Sequence, residues 1–207
     1  MKNTTFIFGI LILCLTSLVS CTQQKPEKTI KNLKDAIIGE TTASAKYKAF
    51  AEKARTEGND TIAILFEAAS KAEAIHAENH TKVLTELGEK MEAFTPKFEV
   101  KTTLENLQAA IEGESYEVAT MYPQFLTDAK NEKVEKATKS FTWALDTEKK
   151  HNDFYSKALA ALKTGSEQNL PVGFAVCPVC GNTYDLVTID NKCAFCQTDK
   201  EKFIQFK

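Results

Sequence analysis

Two segments of this chain place a carboxylate and an imidazole three residues apart: Glu73-Ala74-Ile75-His76 and Glu148-Lys149-Lys150-His151. On an α-helix, residues at that spacing project from one face, one above the other. Each pair therefore offers an oxygen and a nitrogen to a single metal ion, and two such helices facing each other can hold two ions. The chain has 3 histidines, and two of them belong to these pairs. A second ligand pattern lies near the C-terminus. Cys177-Pro178-Val179-Cys180 and Cys193-Ala194-Phe195-Cys196 are Cys-x-x-Cys knuckles with 12 residues between them. Paired knuckles wrap four thiolates tetrahedrally around one ion, and the spacing alone leaves zinc and iron both open.

Four amphipathic stretches must position the first set of groups. Over 29–57, Leu33, Ile37, Ala43, Tyr47, Phe50 and Ala54 recur at helical steps, with Glu40 in the one gap. Over 61–88, the stripe of Ile62, Phe66, Ala69, Val83 and Leu87 passes through Glu73, His76 and His80. Over 103–129, Leu104, Leu107, Ile111, Val118, Met121 and Phe125 run beside Glu114 and Glu117, and Pro123 is expected to kink the helix. Over 132–163, Val134, Ala137, Phe141, Ala144, Tyr155, Ala158 and Leu162 flank Glu148 and His151. Asp60 or Thr61 is the expected cap of the second helix, and Gly88 and Gly165 are expected stops. The connection over 89–102, which contains Pro96, is long enough to cross the bundle. Trp143 and the methionines read as core.

Each of the four helices carries acid or imidazole groups inside its apolar seam. A buried, unpaired carboxylate is costly, so four helices bearing that cost point to one shared compensating charge, a pair of metal ions. The halves echo each other: Glu73 follows Glu40 by 33 residues, and Glu148 follows Glu114 by 34. This is the pattern of a duplicated two-helix unit, and its ligand set is that of ferritin-like di-iron carboxylate bundles. The expected fold is an all-α, ferritin-like four-helix bundle over 29–165. A turn-rich linker over 164–173 then leads to a small metal-stapled β and loop domain over 174–207. A tail that short cannot bury much core, so its metal must supply folding energy. Phe174, Tyr184, Phe203 and Phe206 are expected to cover the sulfurs.

The first residues read as a targeting signal rather than as fold. Lys2 is followed by the apolar run from Phe6 to Leu15, too short for a membrane span. Leu18-Val19-Ser20-Cys21 resembles a bacterial lipobox, which makes 1–20 a signal peptide, Cys21 the lipidated first mature residue and 21–28 a tether. Thr22 is not the Asp associated with inner-membrane retention. Of 6 cysteines, Cys14 leaves with the signal and Cys21 carries lipid, so the remaining four are the knuckles and no disulfide framework is expected. A net charge of -2 over 207 residues argues against nucleic acid as a partner.

In its order of parts the chain resembles rubrerythrins, over roughly residues 29–207. The matching segments are Ile38-Gly39-Glu40 with Tyr47 beyond it, Ala72 to Ala77, Glu112-Gly113-Glu114-Ser115-Tyr116-Glu117 running to Met121-Tyr122-Pro123, Glu148 to His151, and both knuckles. The resemblance implies two non-haem irons in the bundle and one iron in a rubredoxin-like tail held by four cysteines. It implies that Glu73 and Glu148 bridge the irons, that Glu40 and Glu117 are terminal ligands and that His151 binds one iron. The other iron would exchange between His76 and Glu114, with Tyr47 and Tyr122 hydrogen-bonded to ligand carboxylates. It further implies an oxidoreductase that reduces hydrogen peroxide to water, electrons relayed through the tail iron, and a homodimer that brings one subunit's tail to the other's di-iron site. Two features depart from the family. Export and a lipid anchor in the bacterial envelope leave the electron donor unidentified. His80, on the ligand stripe, reads as a partner of a ligand or a core-edge residue rather than as a ligand. Two other functions compete: a ferrous-iron oxidising or sequestering protein, which needs no internal relay, and a zinc-structured lipoprotein that binds a partner.

Overall fold

The computed structural model describes residues 25–207; the signal, the lipobox and Cys21 lie outside them. Helix α1 (Glu27–Thr56) and α2 (Asp60–Glu86) form one antiparallel pair. The third helix of the bundle is composite. It comprises α3 (Thr103–Tyr116), a π turn (Glu117–Met121) and α4 (Tyr122–Asn131), and it pairs with α5 (Glu135–Thr164). Asn59, not Asp60 or Thr61, occupies the N-cap of α2, and no side chain caps there. The turn before it is made by Gly58, with φ +79°. The expected kink at Pro123 takes the form of the π turn just before it. Proline has no N–H to return to the Ala119 carbonyl, and the helix widens by one residue there.

Two carboxylates tie the pairs together and mirror the duplication. Glu57, at the α1–α2 turn, accepts the backbone N–H of Thr103 at 2.8 Å. Glu132, at the α4–α5 turn, accepts those of Lys28 and Thr29 at 3.2 and 2.7 Å. Each thus satisfies orphan donors and meets the positive end of a helix in the other half. Because α3 begins beside the start of α2, the connection from 87 to 102 returns the whole length of the bundle, as the sequence implied. It does so without regular secondary structure, and Pro96 lines a surface groove together with Ala45 of α1 and Ala77 of α2.

The core divides into two apolar clusters, one around Tyr47, Phe50, Phe66 and Tyr155, the other around Leu33, Tyr122, Phe125 and Phe141. The buried acids and imidazoles form the layer between them. After Gly165 (φ +64°) the chain enters a three-stranded antiparallel sheet in the order β2 (Thr183–Asp185), β1 (Phe174–Val176), β3 (Ile204–Phe206). Strand alternation sorts its side chains: Phe174 and Val176 join the bundle core, and Ala175 faces the cysteines. Of the four aromatics expected over the sulfurs, only Tyr184 and Phe203 are there. Phe174 stacks edge-on with Phe154 of α5 at 5.1 Å, and Phe206, paired with it across the sheet, also turns to the bundle. Trp143 is not core either; it is half-buried on α5 and packs under the cysteine cluster. Among the described residues no helix is long and apolar enough to cross a membrane.

Candidate metal centres

The first centre is built from one residue or motif per helix. Glu40 comes from α1, Glu73 and His76 from α2, Glu114 from α3, and Glu148 and His151 from α5; all are at most 1% exposed. Their donor atoms gather into two sets that share two members. Glu40, Glu73, His76 and Glu148 form one set; Glu73, Glu114, Glu148 and His151 form the other. The shared carboxylates each send one oxygen to each side. His76 Nδ1 lies 3.0 Å from Glu73 Oε2 and 2.9 Å from Glu148 Oε1, and His151 Nδ1 lies 3.1 Å from Glu73 Oε1 and 2.9 Å from Glu148 Oε2. About 3 Å is the separation of neighbouring donors that each sit about 2.1 Å from one ion. Yet both oxygens of Glu73 and Glu148, one each of Glu40 and Glu114, and Nδ1 of both histidines are buried without a hydrogen-bond partner. So many orphaned donors in a dry core are untenable without a shared cation. Two divalent ions fit the two sets, and Glu73 and Glu148 are the members common to both.

Glu114 falls in the His151 set and not, as the resemblance implied, opposite His76. Glu117 belongs to neither set. It sits half-buried on the π turn, where burial and then the charge of Glu40 push its pKa well above the usual carboxylate range. The tyrosines hold the terminal carboxylates: Tyr47 donates to Glu114 Oε1 at 2.7 Å and Tyr122 donates to Glu40 Oε1. His80 joins no set; it contacts Tyr122, as read from its place at the ligands' edge.

The charge balance without metal has a measurable consequence. Burial, reinforced by the charges of Glu148 and Glu73, raises Glu40 to about 8, and burial lifts Glu114 well above the usual carboxylate range. Burial alone would depress His76 and His151, but the carboxylates around them reverse this and lift both well above 6.5. All four shifts favour the protonated form, and a metal binds each group only after displacing that proton. Ferrous loading is expected to release protons from His76, His151, Glu40 and Glu114, and affinity is expected to rise with pH to beyond about 8. A pH-stat record of anaerobic loading tests this; loading with no proton release would refute it.

In the tail, Cys177 Sγ lies 3.4 Å from Cys196 Sγ, and Cys180 Sγ lies 3.5 Å from Cys193 Sγ. These separations exclude disulfides, whose S–S bond is about 2.05 Å. They approach the ~3.8 Å edge of a tetrahedron with bonds near 2.3 Å. Gly181, at φ +81°, closes the first knuckle, and Tyr184 donates to Cys193 Sγ at 3.5 Å. The knuckle sits against this chain's own bundle. Gly181 covers the His76 ring so closely that a Cβ there would stand 2.4 Å from Nε2. Thr183 Oγ1 donates to the Gly181 carbonyl at 3.3 Å and lies 2.9 Å from His151 Nε2. With its own hydrogen so used, Thr183 accepts from Nε2–H and leaves Nδ1 bare for a metal. Asn79 donates to the Val179 carbonyl at 2.9 Å, and Lys150 donates to Asn182 Oδ1 at 2.6 Å beneath the rings of Tyr184 and Phe195. Nothing in the spacing marks Thr183, Gly181 or Lys150, because their role depends on how the two parts meet.

Comparison with known proteins agrees with this geometry. The family model described as Rubrerythrin matches residues 31–159. Rubrerythrin-2 of Clostridium acetobutylicum is 33% identical over 186 residues, covering 88% of this chain and 98% of its own. Nigerythrin of Nitratidesulfovibrio vulgaris is 35% identical over 179 residues, 86% of each chain. Solved structures of nigerythrin in a mixed-valence and in a fully reduced, all-ferrous state both superpose with a TM-score of 0.77, at 35% and 34% identity and over 86% of each chain. With a di-iron donor set between the halves of its helical bundle and a rubredoxin-like iron site at its knuckles, this chain belongs to the rubrerythrin family.

Proposed function

We propose that this chain is an oxidoreductase of oxidative-stress defence that reduces hydrogen peroxide to water, electrons entering through the tail. The observation that carries the proposal is the seam in which Thr183 and Gly181 of the tail meet His151 and His76 of the bundle. A protein that only stores or oxidises iron has no use for a second iron site held against the first. Bound between the helices, two ferrous ions would supply the two electrons that, with two protons, turn one hydrogen peroxide into two waters, and an iron held by the four cysteines would return electrons one at a time. The protein's part is positional. Glu73 and Glu148 would hold both ions, and Glu40 and Glu114, under the hydroxyls of Tyr122 and Tyr47, would each hold one. His151 is pinned by Thr183, whereas His76 Nε2 has no partner and is the freer ligand. Exchange against His76 then falls to Glu117 rather than to Glu114. His76, Glu114, Tyr47 and Tyr122 would be the residues that act on the peroxide.

Anchoring through lipid on Cys21 would place this chemistry on an extracytoplasmic face of the bacterial envelope, supplied by a donor of that compartment. The family resemblance also favours a homodimer, although docking within one chain lets the relay run without it. The function is tested on protein lacking residues 1–21, iron-loaded, reduced without oxygen and mixed with one equivalent of hydrogen peroxide. Rapid return of the ferric-thiolate colour, with oxygen much slower, is expected. A faster response to oxygen would favour ferrous-iron oxidation, and a colourless tail would indicate zinc and end the relay. Mixing Cys180→Ser chains with Glu148→Ala chains shows where the relay runs; recovered turnover would mean that it crosses between chains.

A further inference from the structure

We infer that His80, held by Ser140, is a positioning residue that fixes the direction of the Tyr122 hydrogen bond to Glu40. This rests on the reading of Glu40 as an iron ligand. The observation is a buried chain that takes one residue from each helix of the bundle. Ser140 Oγ on α5 lies 2.8 Å from His80 Nδ1 on α2, and His80 Nε2 lies 3.2 Å from the Tyr122 hydroxyl on α4, which donates to Glu40 on α1. His80 is 0% exposed, with Phe141 at 5.1 Å from its ring.

Donor counting leaves one arrangement. Once a metal has displaced its proton, Glu40 only accepts, so the single Tyr122 hydrogen goes to it. The Tyr122 oxygen then accepts, so His80 carries its hydrogen on Nε2. His80 Nδ1 is bare and takes the Ser140 hydrogen. In this arrangement the ring is neutral, with one donor and one acceptor, and both are used. All three bonds therefore point toward Glu40, each polarising the next. A leucine at 80 would let the tyrosine hydroxyl turn from Glu40, with nothing to hold its oxygen.

The matching set at the other end lacks this feature. Tyr47 donates to Glu114 with no histidine behind it. The effect of His80 should therefore fall on the Glu40 and His76 position alone.

The test is a stepwise anaerobic ferrous titration of the full bundle and tail, resolved into its two bundle sites. Outer partners of ligands typically contribute 10–100-fold in affinity. His80→Leu is expected to weaken one site about tenfold and leave the other unchanged. His80→Gln, whose amide also offers one donor and one acceptor, should restore most of that loss. In a Tyr122→Phe background His80→Leu should cost nothing more, because the bond it directs is gone. Thermal melting of each variant without metal reports any folding defect. Equal losses with and without the Tyr122→Phe change, a loss at both sites, or no loss would overturn the inference. Failure of the wild-type protein to bind iron in the bundle would sink the reading of the site as well.

Discussion

Glu148→Ala is expected to strip both bundle irons at once and leave only the tail iron. The expectation follows from how the donors are shared. Glu148 places one oxygen 2.9 Å from His76 Nδ1 and the other 2.9 Å from His151 Nδ1, so neither ion keeps its set without it. Glu73 is the other shared member, and its alanine variant should behave alike. The terminal ligands differ: Glu40→Ala or Glu114→Ala removes a donor from one set only, and one bundle iron should stay. Iron per chain should therefore fall from three to one in the bridging variants and from three to two in the terminal ones. Peroxide turnover should drop by more than about 100-fold in Glu148→Ala, beyond the 10–100-fold usual for outer partners of a metal ligand. Metal analysis combined with the tail's colour distinguishes these cases. A Glu148→Ala protein that keeps one bundle iron would mean that the carboxylate does not bridge.

Much of this centre could be read from the chain because a helix repeats. Glu40, Glu73, His76, Glu148 and His151 each interrupt an apolar stripe, and a 3.6-residue period is enough to put them on an inward face. The pairing of Glu114 with His151 was not readable that way. It depends on which helix lies opposite which, and on the π turn that begins at Glu117. That turn inserts a residue ahead of Pro123 and shifts the phase of everything after it. Glu114 lies before that turn and Glu117 is its first residue, and only Glu114 joins a donor set. The docked tail was equally hidden. Two-residue alternation in β1 predicts that Phe174 and Ala175 face opposite ways, but not which way is the bundle. Phe174 and Phe206 looked like cover for sulfur and instead became the seat of the sheet on α2 and α5. Thr183 could not be recognised as the partner of His151 until that seat was known.

The seat gives the second large prediction, that iron in the tail and contact with the bundle are separable requirements for turnover. The segment from Phe174 onward has three strands of three residues each, and its own buried cluster is mostly cysteine. Such a segment is expected to fold only around its ion, since structural four-ligand sites contribute on the order of 10–16 kcal/mol in small metal-dependent domains. Cys180→Ser with Cys193→Ser should therefore lose the colour and unfold the tail, with the bundle left intact. Multiple turnover should fall more than about 100-fold, while one turnover from a pre-reduced bundle should survive, because the di-iron ligands are untouched. Gly181→Ala makes the complementary cut. The added Cβ would stand 2.4 Å from His76 Nε2 and 3.1 Å from the Ala72 carbonyl, in a backbone at φ +81° that favours glycine. The knuckle can keep its four thiolates only by lifting from the helix. That variant should retain its colour and all its iron, yet its tail should be reoxidised by peroxide at least about tenfold more slowly, since a displacement of even 1 Å can cost about 100-fold in a positioned reaction. Stopped-flow reoxidation of the two variants side by side decides the point. Wild-type kinetics in Gly181→Ala would mean that electrons reach the bundle by a route other than this seam, and mixed-chain complementation would then show whether a second copy provides it.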